Sequence, residues 1–159
     1  MKDFIMLCGA PGSGKTTAAH PYIELGYAYI SSDQYIEDYA KSVGKTYSDV
    51  FDEQIKPATK KMYETLTWAI ETGRDIIWDQ TNLSRKSRME KLAKIPSDYI
   101  KNCIYLDVAY GILIDRNEKR YNETGKMIPY NILHRMAVQA EVPTNDEGWD
   151  LVQIRIKTE

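Results

Sequence analysis

Phe4-Ile5-Met6-Leu7-Cys8-Gly9-Ala10-Pro11-Gly12-Ser13-Gly14-Lys15-Thr16 joins an apolar run to a complete G-x-x-x-x-G-K-T pattern. The apolar run predicts a buried strand, and Thr16 to Leu25 predicts a helix. The pattern therefore stands at a strand-to-helix turn, the context its chemistry requires. Its glycines let backbone N–H groups turn inward around a phosphate. Lys15 can reach the β- and γ-phosphates of a nucleoside triphosphate, and the Thr16 hydroxyl can ligate Mg²⁺. The first helical turn adds its positive dipole end. Gly9, Pro11, Gly12, Ser13, Gly14, Lys15, Thr16 and Thr17 are thus the candidate nucleotide-binding residues.

Outward from this turn, strand-like and helix-like segments alternate. Ala28–Ser31 reads as a short strand and Asp33–Ser42 as a helix. A longer helix is expected from about Ser48, as its N-cap, to Thr72, with a kink or break near Lys56 ahead of Pro57. Asp75–Trp78 is a strand ending in Asp79. Ser84–Lys94 is helical, Tyr99–Val108 a strand and Gly111–Tyr121 helical. Asn122–Pro129 is a loop, Pro129 suits the first turn of a helix to about Ala140, and Asp150–Ile156 reads as an edge or late strand. Such alternation predicts an α/β fold with a parallel sheet flanked by helices. Ligands of these sheets bind at the carboxyl ends of the strands. That rule collects the loops Gly9–Lys15, Ser31–Tyr35 and Asp79–Asn82.

The chain has 159 residues, the size of a single domain, with 43% hydrophobic and 28% charged residues and a net charge of −2. This balance disfavours broad nucleic-acid binding by charge alone. No apolar run is long enough to span a membrane, and no leader pattern precedes the loop, so a cytoplasmic protein is expected. Cys8 and Cys103 lie in strand-like runs without metal-ligand spacing and read as buried free thiols.

Three features converge on the phosphate edge. Asp33 follows the second strand; it suits a base that takes a proton from an acceptor hydroxyl, and equally a helix N-cap. Asp79 ends an apolar strand and suits a carboxylate holding a Mg²⁺ water beside Thr16. Gln80, Thr81 and Asn82 follow as polar groups at the mouth of the site, with Arg85 and Arg88 behind them, and Gln80, Thr81, Asn82 and Arg85 are candidate substrate contacts. Arg116 and Arg120 share one helix face beside the segment Asn122 to Lys126. They suit a lid that closes over phosphates, or a solvated face paired with Asp115, Glu118 or Glu123.

These residues resemble the P-loop kinase family of the phage and bacterial 5′-hydroxyl polynucleotide kinases, within a superfamily that includes the zeta-toxin-like kinases. The resemblance runs through Gly9–Thr17, Ser32-Asp33, Trp78 to Leu83, Arg116-Asn117-Glu118-Lys119-Arg120, Ile128-Pro129 through His134-Arg135-Met136, and Pro143 to Asp150. It implies an adenylate-kinase-like fold over residues 1–159, with a helical lid at about 116–135. It implies ATP and Mg²⁺ as cofactors and Lys15, Asp33 and Arg120 as catalytic residues, with Asp33 the general base. Arg120 would be the lid arginine and Arg116 its neighbour on the nucleotide. The absence of an N-K-x-D motif agrees with ATP. The implied acceptor is the 5′-hydroxyl of a DNA or RNA end. One departure stands out: Ile36 occupies the position, three after the base, where the family carries an arginine for the acceptor's flanking phosphate. Arg85, Arg88 or Lys41 would have to substitute, or the acceptor is a small molecule or nucleoside lacking that phosphate. A nucleotide-dependent switch without an acceptor is the reading outside enzymes. Of the 12 tyrosines, Tyr35 and Tyr39 sit at helical spacing and suit packing or base stacking.

Overall fold

The computed structural model describes residues 1–159. Strands β1 (Lys2–Cys8), β2 (Ala28–Ile30), β3 (Ile76–Asp79), β4 (Tyr99–Val108) and β5 (Leu151–Lys157) form one sheet in the order β2-β3-β1-β4-β5. Every neighbouring pair is parallel. Helices α1 (Lys15–Glu24), α2 (Ser32–Ser42), α3 (Tyr47–Glu71), α4 (Arg85–Leu92), α5 (Tyr110–Thr124) and α6 (Tyr130–Gln139) flank it. This is the adenylate-kinase-like α/β arrangement that the alternating pattern predicts. The central strand β1 is apolar on both faces because both are covered. Phe4, Met6 and Cys8 face Trp78, Met62, Leu66 and Trp149, whereas Ile5 and Leu7 face Ala19, Ile77 and Ile104. Removing each large side chain of this kind from water is worth roughly 1.5–3 kcal/mol. Cys8 and Cys103 are buried free thiols on adjacent strands, with sulfurs 3.4 Å apart.

Several boundaries differ from the sequence expectation for identifiable reasons. The N-cap of α3 is Thr46, not Ser48: Thr46 and Asp49 satisfy each other's backbone N–H groups in a capping box. Ser48 is thereby free to donate to the Gly125 carbonyl and accept from the Met127 N–H. The helix does not break at Pro57. That residue is on the exposed face, where the carbonyl one turn back that loses its donor stays open to solvent. Helix α5 runs three residues beyond Tyr121, where Gly125 (φ 74°) caps it and donates to the Tyr121 carbonyl. A Cβ on Gly125 would lie 2.5 Å from Thr46 Cγ2, so the tight approach of the α5–α6 loop to the start of α3 also requires glycine.

The chain between α6 and β5 is fastened by charge. Arg88 on α4 is fully buried and donates through Nε and Nη2 to Glu147, at 2.7 and 2.9 Å, and through Nη1 to the Asn82 carbonyl. Trp149 Nε1 also donates to Glu147, and Asp150 accepts from the Lys101 N–H at the head of β5. Beyond this anchor β5 is the sheet edge, with Leu151, Ile154 and Ile156 exposed.

Candidate functional site

Because every strand points the same way, the ends of β1, β2 and β3 open onto one cavity of about 480 Å³. The loop from Pro11 to Thr17 forms its floor. Gly9 begins the turn and donates its N–H to the Thr81 carbonyl, which locks the loop to the end of β3. Lys15 curls back, its Nζ donating to the Gly9 and Ala10 carbonyls at 2.9 and 3.1 Å. Burial lowers its pKa to about 8, against the opposing pull of Asp79 and Asp33. The Ser13 hydroxyl is buried without a partner.

Thr16 and Asp79 meet as expected. Thr16 Oγ1 donates to Asp79 Oδ2 at 3.3 Å, and the Tyr29 hydroxyl donates to the same oxygen at 2.5 Å. Burial raises the Asp79 pKa, with Tyr29 and Lys15 opposing. Burial and the Asp79 charge push the Tyr29 phenol well above its ordinary value, so it remains a donor.

Asp33 lines the same cavity. It is not the cap of α2, because Ser31 accepts from the Gln34 N–H and fills that role. The Asp33 carboxylate is instead held from two sides. Tyr47 donates to Oδ1 at 2.6 Å and Lys126 Nζ lies 3.3 Å from Oδ2. Tyr47 is kept protonated chiefly by burial and then by the Asp33 charge.

Arg116 and Arg120 both reach the cavity from α5. Arg116 Nη1 donates to the Gly12 carbonyl at 2.8 Å. Arg120 Nε and Nη2 are buried and have no partner. Neither guanidinium pairs with Asp115, Glu118 or Glu123, so the solvated-face alternative is not what the fold adopts.

The other expected contacts divide. Gln80 and Thr81 line the cavity. The Gln80 amide is oriented by Trp78 Nε1 and Lys91 Nζ, which donate to its oxygen, while its nitrogen donates to Ser32. Asn82 and Arg85 do not line it. Asn82 is 2% exposed, adopts φ 47° and donates to the Leu7 carbonyl, a role in tying β1 to the β3 loop. Arg85 turns away to Thr144 and Asp146, the latter at 3.0 and 3.1 Å. The acceptor end departs further from the sequence expectation. Ile36 does not face the cavity; it packs against Ala40, Tyr47, Val50 and Ala58. Tyr35 and Tyr39 pack against the same cluster, and Arg88 is consumed by Glu147. Beside Asp33 and Gln34, the α2 residue that faces the cavity is Glu37, and the cation beside Asp33 is Lys126, 3.0 Å from Glu37. Tyr29, Glu37 and Lys126 carry no motif. The only sequence signal is the i, i+4 spacing of Asp33 and Glu37, which puts both carboxylates on one helix face.

A family model described as an AAA domain matches residues 4–143. No curated protein is similar enough in sequence to count as a relative. Among solved structures, the chain is similar to a candidate kinase from Chloroflexus aurantiacus, with a TM-score of 0.70 and 18% identity over 98% of this chain and 85% of that one. It is also similar to a chain of the Pnkp1/Rnl/Hen1 RNA repair complex, with a TM-score of 0.66 and 25% identity. That match covers 87% of this chain but 43% of the other. A sugar kinase from a Janibacter species gives a TM-score of 0.63 and 21% identity, over 99% and 86% of the two chains. With a phosphate loop at the end of β1 and a match spanning most of its length, this chain belongs to the AAA-domain family and has a P-loop kinase-like fold.

Proposed function

We propose that the protein is an ATP- and Mg²⁺-dependent phosphotransferase acting on a hydroxyl, with the 5′-hydroxyl of a DNA or RNA end as acceptor. One observation carries the reading. Asp33 and Arg120 flank the same cavity as the phosphate loop, and two buried Arg120 nitrogens lack a partner there. A buried unpaired donor is costly, and an oxyanion would satisfy it. Ser13 is a second such group. The donor set therefore fits a nucleotide's phosphates, and the Thr16–Asp79 pair fits a hard cation.

In this reading Lys15 and the amides of Gly12 to Thr16 hold the β- and γ-phosphates, while Thr16 and Asp79 hold the ion. Bound ATP supplies the phosphoryl group, and Mg²⁺ draws charge from its oxygens. Asp33 orients the acceptor hydroxyl and takes its proton. Arg120, with Arg116 beside it, neutralises charge spreading over the phosphoryl oxygens, and α5–α6 (about 116–135) act as a lid on a single unit. The polynucleotide acceptor is supported by the motif resemblance and by the 25% identity with a chain of an RNA repair complex. A second reading, a small polyhydroxyl acceptor, is favoured by Glu37: the acceptor end holds two carboxylates and one lysine already paired to both.

The test is transfer from labelled ATP to 5′-hydroxyl oligonucleotides, nucleoside 3′-monophosphates, nucleosides and sugars. Product on the oligonucleotides, weakening steeply with salt, supports the first reading. Product on sugars or nucleosides alone, with a flat salt profile, replaces it with the second. ATP hydrolysis without transfer to any of them removes both.

A further inference from the structure

Asp33 stands at the exposed start of α2, where a short side chain is ordinarily free to turn, yet both its oxygens are engaged. Lys126, which engages one of them, has a side chain only 8% exposed. Its ammonium is enclosed by Asp33, Glu37 and the Tyr47 ring, 4.1 Å away. Asp33 and Glu37 stand one turn apart and repel; the ammonium between them removes that repulsion. Lys126 belongs to the loop that follows α5, the helix that carries Arg120. The loop is fastened independently of Asp33, by Ser48 to Gly125 and Met127 and by Asn117 to Ile128. Fastening therefore does not need a sheltered lysine aimed at two carboxylates, which is expensive to bury.

We infer that Lys126 and Tyr47 are positioning residues that clamp Asp33 and couple its orientation to the docked α5–α6 loop, so that Asp33 and Arg120 are aligned together. This rests on the phosphotransfer reading above. With Lys126 removed, Glu37 repels Asp33 and the carboxylate leaves the line of attack. Misplacement of a reacting group by an ångström costs on the order of a hundredfold in rate.

The experiment compares Lys126→Met, Lys126→Arg, Tyr47→Phe and Ser48→Ala by kcat, acceptor KM and ATP-binding affinity. Lys126→Met should lower kcat about ten- to a hundredfold, with little change in acceptor KM or ATP affinity. Lys126→Arg should recover most of the loss. Ser48→Ala removes one tether of the same loop while Asn117 still holds Ile128, and should cost much less than Lys126→Met. Lys126→Met and Tyr47→Phe together should cost less than the product of their separate effects, because both act through one carboxylate. A wild-type kcat in Lys126→Met, or an equal loss in Ser48→Ala, overturns the inference. A readout independent of activity is the χ1 coupling of Asp33 by NMR, expected to show one rotamer in the wild type and averaging in Lys126→Met. Unchanged couplings overturn the clamp even if the acceptor proves to be of another kind. Failure of every acceptor with the couplings behaving as expected removes the phosphotransfer reading and leaves the clamp standing.

Discussion

Thr16 Oγ1 lies 3.3 Å from Asp79 Oδ2, so the end of the phosphate loop and the end of β3 are joined by one hydrogen bond across the cavity floor. In the phosphotransfer reading, these two oxygens are the groups that would hold a hard cation or its water. We expect Asp79→Ala to raise the Mg²⁺ concentration needed for nucleotide binding by about ten- to a hundredfold, the range for disturbing a metal's supporting groups. Titrating Mg²⁺ against a fluorescent ATP analogue measures it. An unchanged midpoint assigns Asp79 to holding Tyr29 and Thr16 alone.

Arg120 carries two buried nitrogens without partners, and Arg116 is already spent on the Gly12 carbonyl. Arg120→Ala should therefore cut turnover by roughly 10³–10⁵, on the scale of arginine fingers. Arg116→Ala should act mainly on nucleotide affinity. Steady-state kinetics with ATP varied separates the two, and equal turnover in wild type and Arg120→Ala returns that arginine to a packing role.

Ile36 sits in the α2–α3 core at 0% exposure. Installing the arginine that the family resemblance leads one to expect there would bury a charge without a partner. Ile36→Arg should thus destabilise the fold by about 3 kcal/mol or more, and acceptor affinity should not improve. Urea unfolding decides the point: a stable variant with tighter acceptor binding would mean that position 36 can face the cavity.

Lys91 donates to Gln80 and Asn82 and lies over the Trp78 ring. Burial lowers its pKa from 10.5 to about 8. Between those values the unfolded chain holds a proton that the folded one has released, so this group makes stability rise with pH. The cost of keeping it charged is fully present below about 8 and is gone above 10.5. The stability of the wild type relative to Lys91→Met should therefore increase from neutral pH toward pH 10, measured as the difference in urea midpoint. A difference that does not vary with pH would show that Lys91 is as hydrated as a surface lysine.

The alternation of strands and helices and the phosphate loop were legible because they rest on local chemistry. An apolar run, a glycine turn and a lysine at fixed spacing need no knowledge of distant residues. The place of Thr16, Asp79 and Asp33 at the cavity was legible for the same reason: Asp79 ends a strand, and the other two lie in the first turn of the helix that follows one. The acceptor end was not. Whether position 36 or 37 faces the cavity depends on how α2 lies against α3, and a rotation of about 100° per residue exchanges Ile36 for Glu37. Lys126 comes from a loop far along the chain, and nothing in Thr124-Gly125-Lys126-Met127 shows that Ser48 and Thr46 will dock it. Arg85 was misplaced because its partner, Asp146, lies 61 residues away. The cap of α3 was missed by two residues because serine and threonine are both good caps, and only the reciprocal Asp49 bond selects Thr46.

The open edge at β5 has a consequence for handling the protein in solution. Leu151, Ile154 and Ile156 stand exposed beside a row of unpaired backbone groups, an invitation to strand addition by another copy. Arg155 and Lys157 sit between and after those isoleucines, so two such edges meeting would bring like charges together. Salt screens that repulsion. The same salt titration that separates a polynucleotide acceptor from a small one therefore weakens the guard against self-association. Light scattering recorded alongside the rate would tell lost electrostatic attraction for substrate from lost monomer.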